Sequence, residues 1–279
     1  MSSKVSVVVG VPIMNQPDIT QKFLNQLRES ETDRLPLILV DNGSKPPLRD
    51  WLIGLRKGDN VIRNAENVGL VKALNQMWRV TSKMGFDYIF YTHNDVMIYE
   101  KGWDEKLIRI LSEQDNIGVA GFYGAKGIGV PGIYNTPYEM QQLVRWGNIS
   151  GCSRMNASVH DFTPPNGEIE EVSVMDGFSL IVSMKLLNEL GGFDRQYPIH
   201  HMYDNDICLE SIDKGYRNIV ISMDADHIGG MTDVGEDWAS PFGKTKQQVH
   251  EEAHPIFYNK WHPKNIVSGK HKICLPFRV

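Results

Sequence analysis

Short apolar runs alternate with amphipathic stretches along the first eighty residues of the chain. Residues 5–11 and 37–40 are dominated by aliphatic side chains, which is typical of strands that are buried on both faces of a parallel sheet. Between these runs, Ile19, Phe23 and Leu27 recur at helical spacing, so one face of a helix can pack on the sheet. The strand, helix, strand order predicts the first half of a nucleotide-binding α/β unit.

The same alternation continues beyond this unit. Further strands are predicted at residues 61–62, 86–96, 117–122, 172–183 and 217–223. Helices are predicted at residues 48–55, 70–78, 103–111, 185–190 and 203–215. The chain is therefore predicted to form an α/β fold with a mainly parallel central sheet flanked by helices. We predict one domain over residues 1–232 and a C-terminal extension, residues 233–279, packed on that domain.

Residues 123–170 lack a clear hydrophobic period and are rich in glycine, proline and polar side chains. A long irregular segment inside a compact domain is commonly a functional loop, so we predict an irregular functional loop region over residues 123–170. The glycine-rich run at residues 121–132 lacks the motifs that cradle phosphate. That run is predicted to be a mobile loop.

Composition narrows the class of protein. The formal net charge is -5, so general electrostatic binding to nucleic acid is disfavoured. Cys152, Cys208 and Cys274 are odd in number and widely spaced, which predicts free thiols and not a disulfide framework. No apolar run approaches the length of a membrane span. We predict a cytoplasmic protein and leave peripheral attachment to a membrane open.

The candidate chemistry begins where a predicted strand ends. The apolar residues 86–92 lead directly into His93, Asn94 and Asp95. Open α/β sheets bind ligands at the carboxyl ends of their strands, and a carboxylate there can hold a divalent cation against a phosphate. An ordinary Asx turn explains the same local sequence equally well. The choice depends on motifs elsewhere in the chain.

Those motifs occur in a defined order. They are Val40-Asp41-Asn42-Gly43-Ser44, Asn67-x-Gly69 with Ala73 and Asn75, His93-Asn94-Asp95, Asp176-Gly177-Phe178, Gly191-Gly192-Phe193-Asp194, Asp204-Asn205-Asp206-Ile207-Cys208, His227-x-Gly229-Gly230 and Phe257-Tyr258-Asn259-Lys260-Trp261. The ordered set resembles the family 2 inverting glycosyltransferases of GT-A fold, in their rhamnosyltransferase-like branch. The resemblance covers roughly residues 5–261.

The resemblance implies an activity. It implies a metal-dependent hexosyltransferase that moves a sugar from a nucleotide-sugar donor, a UDP- or dTDP-sugar, to an acceptor hydroxyl with inversion. The implied acceptor is a glycan or a lipid-linked saccharide, and the implied cofactor is Mn²⁺ or Mg²⁺. The same chemistry on a hydroxymethylated DNA base is an alternative that the negative net charge disfavours.

The resemblance also implies which residues bind the donor. Asp41 corresponds to the partner of the nucleotide base. The other implied donor-binding residues are Pro12, Asn67, Gly69, Asn75, Asn94 and Asp95. Asp95, His227 and His93 are the implied metal ligands. His93 departs from the family pattern, which has an aspartate or asparagine there, and imidazole suits Mn²⁺ better than Mg²⁺. Contact of His93 with ribose or solvent is the alternative.

Catalysis is implied at a later motif. Asp204 corresponds to the general base, and Asp206 competes with it for that role. Asp176, Gly177 and Asp204 are implied on the acceptor side, and the irregular residues 123–170 are predicted to contact the acceptor as well. Asp204 could instead serve only to cap a helix. A zinc site built from His200 and His201 with His227 is disfavoured because adjacent side chains point apart.

Two further classes remain open. A sugar nucleotidyltransferase is disfavoured because residues 11–16 contain no glycine, lysine or arginine. A catalytically silent nucleotide-sugar binding protein is suggested by His93 in the metal motif.

Overall fold

The computed structural model of the chain describes residues 4–50, 55, 58–129, 139–145, 167–197, 199–228, 237–261, 267–268 and 271–272. The strands are β1 Val7–Ile13, β2 Leu37–Asn42, β3 Asn60–Asn64, β4 Tyr88–Thr92, β5 Val96–Ile98, β6 Ile117–Gly121, β7 Tyr123–Gly129, β8 Glu139–Arg145, β9 Ile169–Val172, β10 Val174–Met175, β11 Ser179–Ser183, β12 Arg217–Ile221, β13 Ala225–His227, β14 Val267–Ser268 and β15 His271–Lys272. The helices are α1 Pro17–Ser30, α2 Leu70–Thr81, α3 Trp103–Glu113, α4 Met184–Leu190, α5 Tyr203–Asp213 and α6 Lys246–Trp261.

Eight strands form the central sheet, in the order β3-β2-β1-β4-β11-β6-β12-β9. Strands β3, β2, β1 and β4 are parallel to one another, and β12 is parallel to β6. Strands β11 and β9 are antiparallel to their neighbours. The predicted α/β fold with a mainly parallel sheet is confirmed.

The apolar periodicity that predicted the helices marks the faces that pack on this sheet. Phe23, Leu24 and Leu27 of α1 are buried in the main core, as are Leu74 and Met77 of α2. Burial of each of these large apolar side chains stabilises the folded state by about 1.5–3 kcal/mol. Both helices are therefore fixed beside the strand ends that build the site described below.

The prediction of an irregular segment at residues 123–170 is wrong for the residues that the structure describes there. Strand β7 pairs with β8 and β10 in a separate three-stranded antiparallel sheet, and β9 joins the central sheet. The sequence of β7 does not show a strand pattern because it is interrupted by glycine. At Gly124, a Cβ would lie 2.5 Å from the carbonyl oxygen of Val174, so the close approach of the neighbouring strand requires a glycine there. Residues 130–138 and 146–166, where acceptor contacts were also predicted, lie outside the described residues.

Two other predictions change at the strand ends. The strand predicted over residues 86–96 divides into β4 and β5, with His93, Asn94 and Asp95 in the turn between them. The predicted helix at residues 48–55 is a short 3-10 turn at Leu48–Asp50 in the part that the structure describes. Residues 51–54 of that prediction lie outside the described residues.

The C-terminal helix α6 packs on the rest of the fold. Ala253, Phe257 and Trp261 are buried in the same core as the central sheet. The division of the chain at residue 232 stays a prediction. Cys208 is a buried free thiol, as predicted, whereas Cys152 and Cys274 lie outside the described residues. None of the described helices combines the length and hydropathy needed to cross a membrane.

Candidate active site

A cavity of about 310 Å³ opens at the carboxyl ends of β1, β2 and β4. Its walls include seven of the predicted site residues, which are Pro12, Asn67, Gly69, His93, Asn94, Asp95 and His227. The other wall residues are Ile13, Met14, Asn42, Leu70, Ile199, His200, His201 and Trp238. The structure thus places the cavity at the sheet edge where an open α/β fold binds its ligand.

The turn after β4 and the end of β13 bring together three side chains of the types that can bind a metal ion, His93, Asp95 and His227. Strand β13 pairs with β5 so that His227 lies opposite Val96, and the Ile228 N–H donates to the Asp95 carbonyl at 3.0 Å. The Asn94 side chain fixes the same turn by donating to the Thr20 hydroxyl at 2.6 Å. The turn is therefore fixed both by the residue after β13 and by α1, and the Asp95 carboxylate lies beside the His227 imidazole.

The ligand atoms of His93, Asp95 and His227 lie within 4.8 Å of one another. His227 Nε2 is 3.3 Å from Asp95 Oδ1, which suits two ligands that each lie about 2.0–2.2 Å from one cation. Burial lowers the pKa of His93, against the opposing effect of Asp95, and this favours the neutral imidazole that binds metal. The residues fit a divalent ion, and two imidazoles with one carboxylate suit Mn²⁺ better than Mg²⁺.

Asp204 lies in the first turn of α5. Its Oδ2 accepts a 2.9 Å hydrogen bond from the Gly177 N–H, and its Oδ1 accepts one from the Asn205 N–H at 2.9 Å. Burial, followed by repulsion from the Asp176 carboxylate, raises the pKa of Asp204 to about 7. A carboxyl group with this pKa is suited to general-base chemistry near neutral pH.

Asp176 acts electrostatically both on Asp204 and on one of the candidate metal ligands, the His93 imidazole. Asp176, Gly177 and Phe178 form the turn from β10 to β11, and the Phe178 carbonyl accepts the His93 N–H at 3.0 Å. The predicted acceptor-side residues are thus brought together with Asp204, beside the cavity and not among its wall residues.

Asp206 has different surroundings from Asp204. Its Oδ1 accepts hydrogen bonds from Trp261 Nε1 at 2.7 Å and from the Tyr197 hydroxyl at 3.2 Å, and its Oδ2 accepts one from Lys260 at 2.9 Å. Lys260 also pairs with Asp194 and Glu210. Burial raises the pKa of Asp206 to about 6, against the opposing effect of Lys260. This geometry makes Asp206 an anchor for α6 and favours Asp204 as the base.

Asp41 is buried beneath the cavity and is not one of its wall residues. Its oxygens accept hydrogen bonds from the N–H groups of Ser44 at 2.9 Å and Leu48 at 2.8 Å. Arg63 pairs with it at 2.8 Å. The contact of Asp41 with a nucleotide base stays a prediction, and the observed role of its carboxylate is to fix the loop after β2.

Side-chain amides support the cavity wall. Asn42 donates to Asn67 at 2.8 Å and accepts from Asn64 at 3.1 Å, and Asn67 donates to the Trp238 carbonyl at 3.1 Å. This chain of amides joins β2 to the C-terminal part of the wall. Asn75 is engaged elsewhere, since it bonds the Phe193 N–H and carbonyl at 2.9 and 3.0 Å. Its predicted contact with the donor stays a prediction.

Sequence reasoning missed the wall formed by His200, His201 and Trp238. The two imidazoles continue into a row with His250 and His254 of α6, with ring centroids 4.2–4.7 Å apart. Burial lowers the pKa of His200 to about 3 and that of His254 to about 4. The four-residue spacing of the two α6 histidines was the one available signal, and it does not reveal which surface they face.

Solved structures with the same fold include two sugar-transferring proteins. One is described as GalNAc-T7 with UDP, GalNAc and Mn²⁺, with 14% identity, a TM-score of 0.56 and coverage of 81% of this chain and 44% of that one. The other is the mannosyltransferase PcManGT from Pyrobaculum calidifontis in complex with GDP-Man and Mn²⁺, with 14% identity, a TM-score of 0.57 and coverage of 97% and 66%. This chain therefore spans less than two thirds of either protein. At this identity the likeness establishes a GT-A fold.

The family follows from sequence. No curated protein sequence matches the chain. The model of a family described as glycosyltransferase-like matches residues 61–261, a span that includes the candidate metal ligands, the turn from β10 to β11, Asp204 and all of α6. The chain belongs to the glycosyltransferase-like family.

Proposed function

We propose that the protein is a metal-dependent inverting glycosyltransferase that moves a sugar from a nucleotide-sugar to an acceptor hydroxyl. One observation carries the proposal: the turn from β10 to β11 contacts both a three-ligand metal cluster and a buried carboxyl group with a raised pKa. Glycosyl transfer needs both functions close together, one for the leaving group and one for the acceptor.

The donor side is formed by the cavity. Pro12, Asn67 and Gly69 lie along the wall toward β1 and α2, and Asp95 lies at the end of β4. A divalent cation held by His93, Asp95 and His227 would supply positive charge that stabilises the departing diphosphate. Asn94 and its hydrogen bond to Thr20 keep the turn in place while the negative charge develops.

The acceptor side is formed by Asp204. Its carboxylate removes the proton from the acceptor hydroxyl as the oxygen forms a bond to the anomeric carbon. The bond from that carbon to the phosphate oxygen breaks, and its electron pair leaves with the nucleoside diphosphate. Attack from the face opposite the leaving group inverts the anomeric centre, so no covalent intermediate with the protein is needed.

The substrate classes follow from the same proposal. We propose a UDP- or dTDP-hexose as donor and a saccharide hydroxyl, on a glycan or a lipid-linked saccharide, as acceptor. The two structural neighbours support a nucleotide-sugar with Mn²⁺, since they are described with UDP and with GDP-Man. The family match supports glycosyl transfer as the reaction class.

A thermal-shift screen tests the donor half of this proposal. UDP-, dTDP- and GDP-sugars are added to the wild-type protein with Mn²⁺ or with a chelator. A ligand of the native state raises the melting temperature by mass action, so at least one donor is expected to stabilise the protein with Mn²⁺ and less so with the chelator. Asp95→Ala is expected to abolish this difference. Failure of every nucleotide-sugar to stabilise the wild type would contradict the proposal.

A further inference from the structure

The ring of Phe178 lies flat against the imidazole of His227. The ring centroids are 4.4 Å apart and the planes differ by 17°. Phe178 is fully buried, at 0% exposure. Most other ring contacts among the described core residues are edge-to-face or tilted, including those of His227 with His93 at 63° and of Phe178 with Tyr123 at 45°. The parallel stack therefore sets the plane of the His227 ring.

The same residue also contacts the second histidine of the cluster, but only through the main chain. The Phe178 carbonyl accepts a hydrogen bond from the backbone N–H of His93 at 3.0 Å. Phe178 thus contacts one metal-ligating histidine through its side chain and the other through its backbone. Asp95, the third ligand, lies 3.3 Å from His227, so the orientation of His227 determines where its nitrogen meets the carboxylate.

Phe178 is itself fixed firmly enough to orient a neighbour. Its N–H donates to Asp176 at 3.2 Å. The next residue, Ser179, begins β11 in register with Thr92, the last residue of β4. The ring packs in the same core as the central sheet. A side chain held on all these sides blocks rotation of the imidazole about its terminal bond, which is otherwise a broad torsion.

Ordinary core packing is the competing explanation for the position of Phe178, and Phe122 is an example of such packing. Phe122 is equally buried and also lies beside the central sheet. Its ring meets Phe90 edge-to-face at 5.4 Å and 65°, and no metal-ligating residue is among its ring contacts in the described part of the chain. The two phenylalanines therefore form a matched pair, in which one packs against a candidate ligand and the other does not.

We propose that Phe178 is a positioning residue that holds the plane of the His227 imidazole and so sets the affinity and geometry of the metal centre. The proposal rests on the proposed function, because it assumes that His93, Asp95 and His227 bind a divalent cation. Groups that orient metal ligands from outside the coordination shell commonly change metal affinity about 10–100-fold when they are removed.

The experiment compares Phe178→Leu with Phe122→Leu, both in the full chain and without nucleotide. Leucine removes the flat ring and leaves the backbone carbonyl that accepts the His93 N–H. Mn²⁺ binding is measured by electron paramagnetic resonance of the free ion. We expect Phe178→Leu to bind Mn²⁺ about tenfold more weakly than the wild type, and Phe122→Leu to bind it with wild-type affinity.

A spectroscopic measurement distinguishes a changed orientation of the metal ligands from a general loss of packing in the variant. Co²⁺ is titrated into the same proteins, and its visible absorption reports ligand geometry. We expect an altered spectrum for Phe178→Leu and an unchanged one for Phe122→Leu. Phe178→Met, whose flexible unbranched side chain can fill an irregular space but has no flat face, is expected to behave like Phe178→Leu and replaces it if the leucine variant does not fold.

The outcomes are distinct. Wild-type affinity and spectrum in both Phe178 variants would overturn the positioning role while leaving the proposed function intact. Equal weakening in Phe122→Leu would also overturn it, because the effect would then be general. A wild-type protein that binds neither Mn²⁺ nor Co²⁺ would instead overturn the proposed metal dependence, and this inference with it.

Discussion

The carboxylate of Asp204 accepts a 2.9 Å hydrogen bond from the backbone N–H of Gly177. This bond ties the N-terminal turn of α5 to the turn from β10 to β11. The next residue along that turn, Phe178, contacts both histidines of the metal cluster. The candidate base and the candidate metal centre therefore share one short piece of backbone, and the predictions below depend on that arrangement.

The first prediction concerns pH. Burial and the charge of Asp176 raise the pKa of Asp204 to about 7, and only the deprotonated carboxylate can accept the acceptor's proton. Transfer activity is therefore expected to be low at acid pH and to rise as the pH passes through about 7. Asp176→Asn removes a negative charge that favours the protonated form. The inflection in a pH profile of kcat/KM should then move to lower pH. An unmoved inflection would show that the charge of Asp176 does not affect the pKa of the catalytic base.

The second prediction separates the two aspartates of α5 by activity. Asp204→Asn removes the base and preserves size, and its one amide oxygen can keep the hydrogen bond from the Gly177 N–H while the Asn205 N–H loses its acceptor. We expect at least a 100-fold loss of transfer, in the range typical of a missing general base, with nucleotide-sugar affinity retained. Steady-state kinetics together with calorimetric donor binding measure the two effects. Turnover near the wild-type rate would exclude Asp204 as the base.

The third prediction concerns the stability contributed by Asp206. Asp206→Ala leaves Trp261 Nε1, the Tyr197 hydroxyl and one contact of Lys260 without their acceptor. Buried donors that lose their acceptor cost about 1–3 kcal/mol each, so the free energy of unfolding should fall by at least about 2 kcal/mol. Urea denaturation measures this loss. A stable variant that has lost transfer would instead indicate that Asp206 is the base.

The fourth prediction tests the close packing at Gly177. A Cβ at this position would lie 2.2 Å from the Tyr203 hydroxyl oxygen. Gly177→Ala should therefore destabilise the protein by about 1–3 kcal/mol, as overpacking commonly does, and should displace the N–H that bonds Asp204. Adding Tyr203→Phe removes the nearest clashing atom and leaves the ring carbon Cζ at 2.9 Å, so the double variant should regain part of the stability that Gly177→Ala loses. If the double variant instead loses as much melting temperature as the two single variants together, the predicted contact is contradicted.

The sequence predicted those parts of the fold and site that depend on local pattern. The continuous apolar runs of β1, β2 and β4 identify buried parallel strands, and the polar residues that follow them, such as Asp95, must meet at one edge of the sheet. This reasoning placed the cavity correctly. The ordered motifs predicted His227 as a further metal ligand, and the pairing of β13 with β5 places it near Asp95; its binding of a metal stays a prediction.

Long-range packing could not be predicted in the same way. The stack of Phe178 on His227 joins residues that are distant in sequence, and no periodicity reports it. Asp41 was predicted to meet a nucleotide base, but only the tertiary structure reveals that Ser44, Leu48 and Arg63 engage its carboxylate. Strand β7 was missed because Gly124 breaks its apolar pattern. The reason for this glycine is the close approach of Val174, which is remote in the chain.

The central claim is metal-dependent transfer from a nucleotide-sugar, and release of nucleoside diphosphate tests it most directly. The wild-type protein is incubated with a panel of UDP- and dTDP-hexoses and a mixture of saccharide acceptors, with Mn²⁺, Mg²⁺ or a chelator. We expect release to be fastest with Mn²⁺, because two imidazoles and a carboxylate suit it better than Mg²⁺, and to be abolished by the chelator and by His227→Ala. Release that is indifferent to the chelator, or no release from any donor with Mn²⁺ present, would contradict the account.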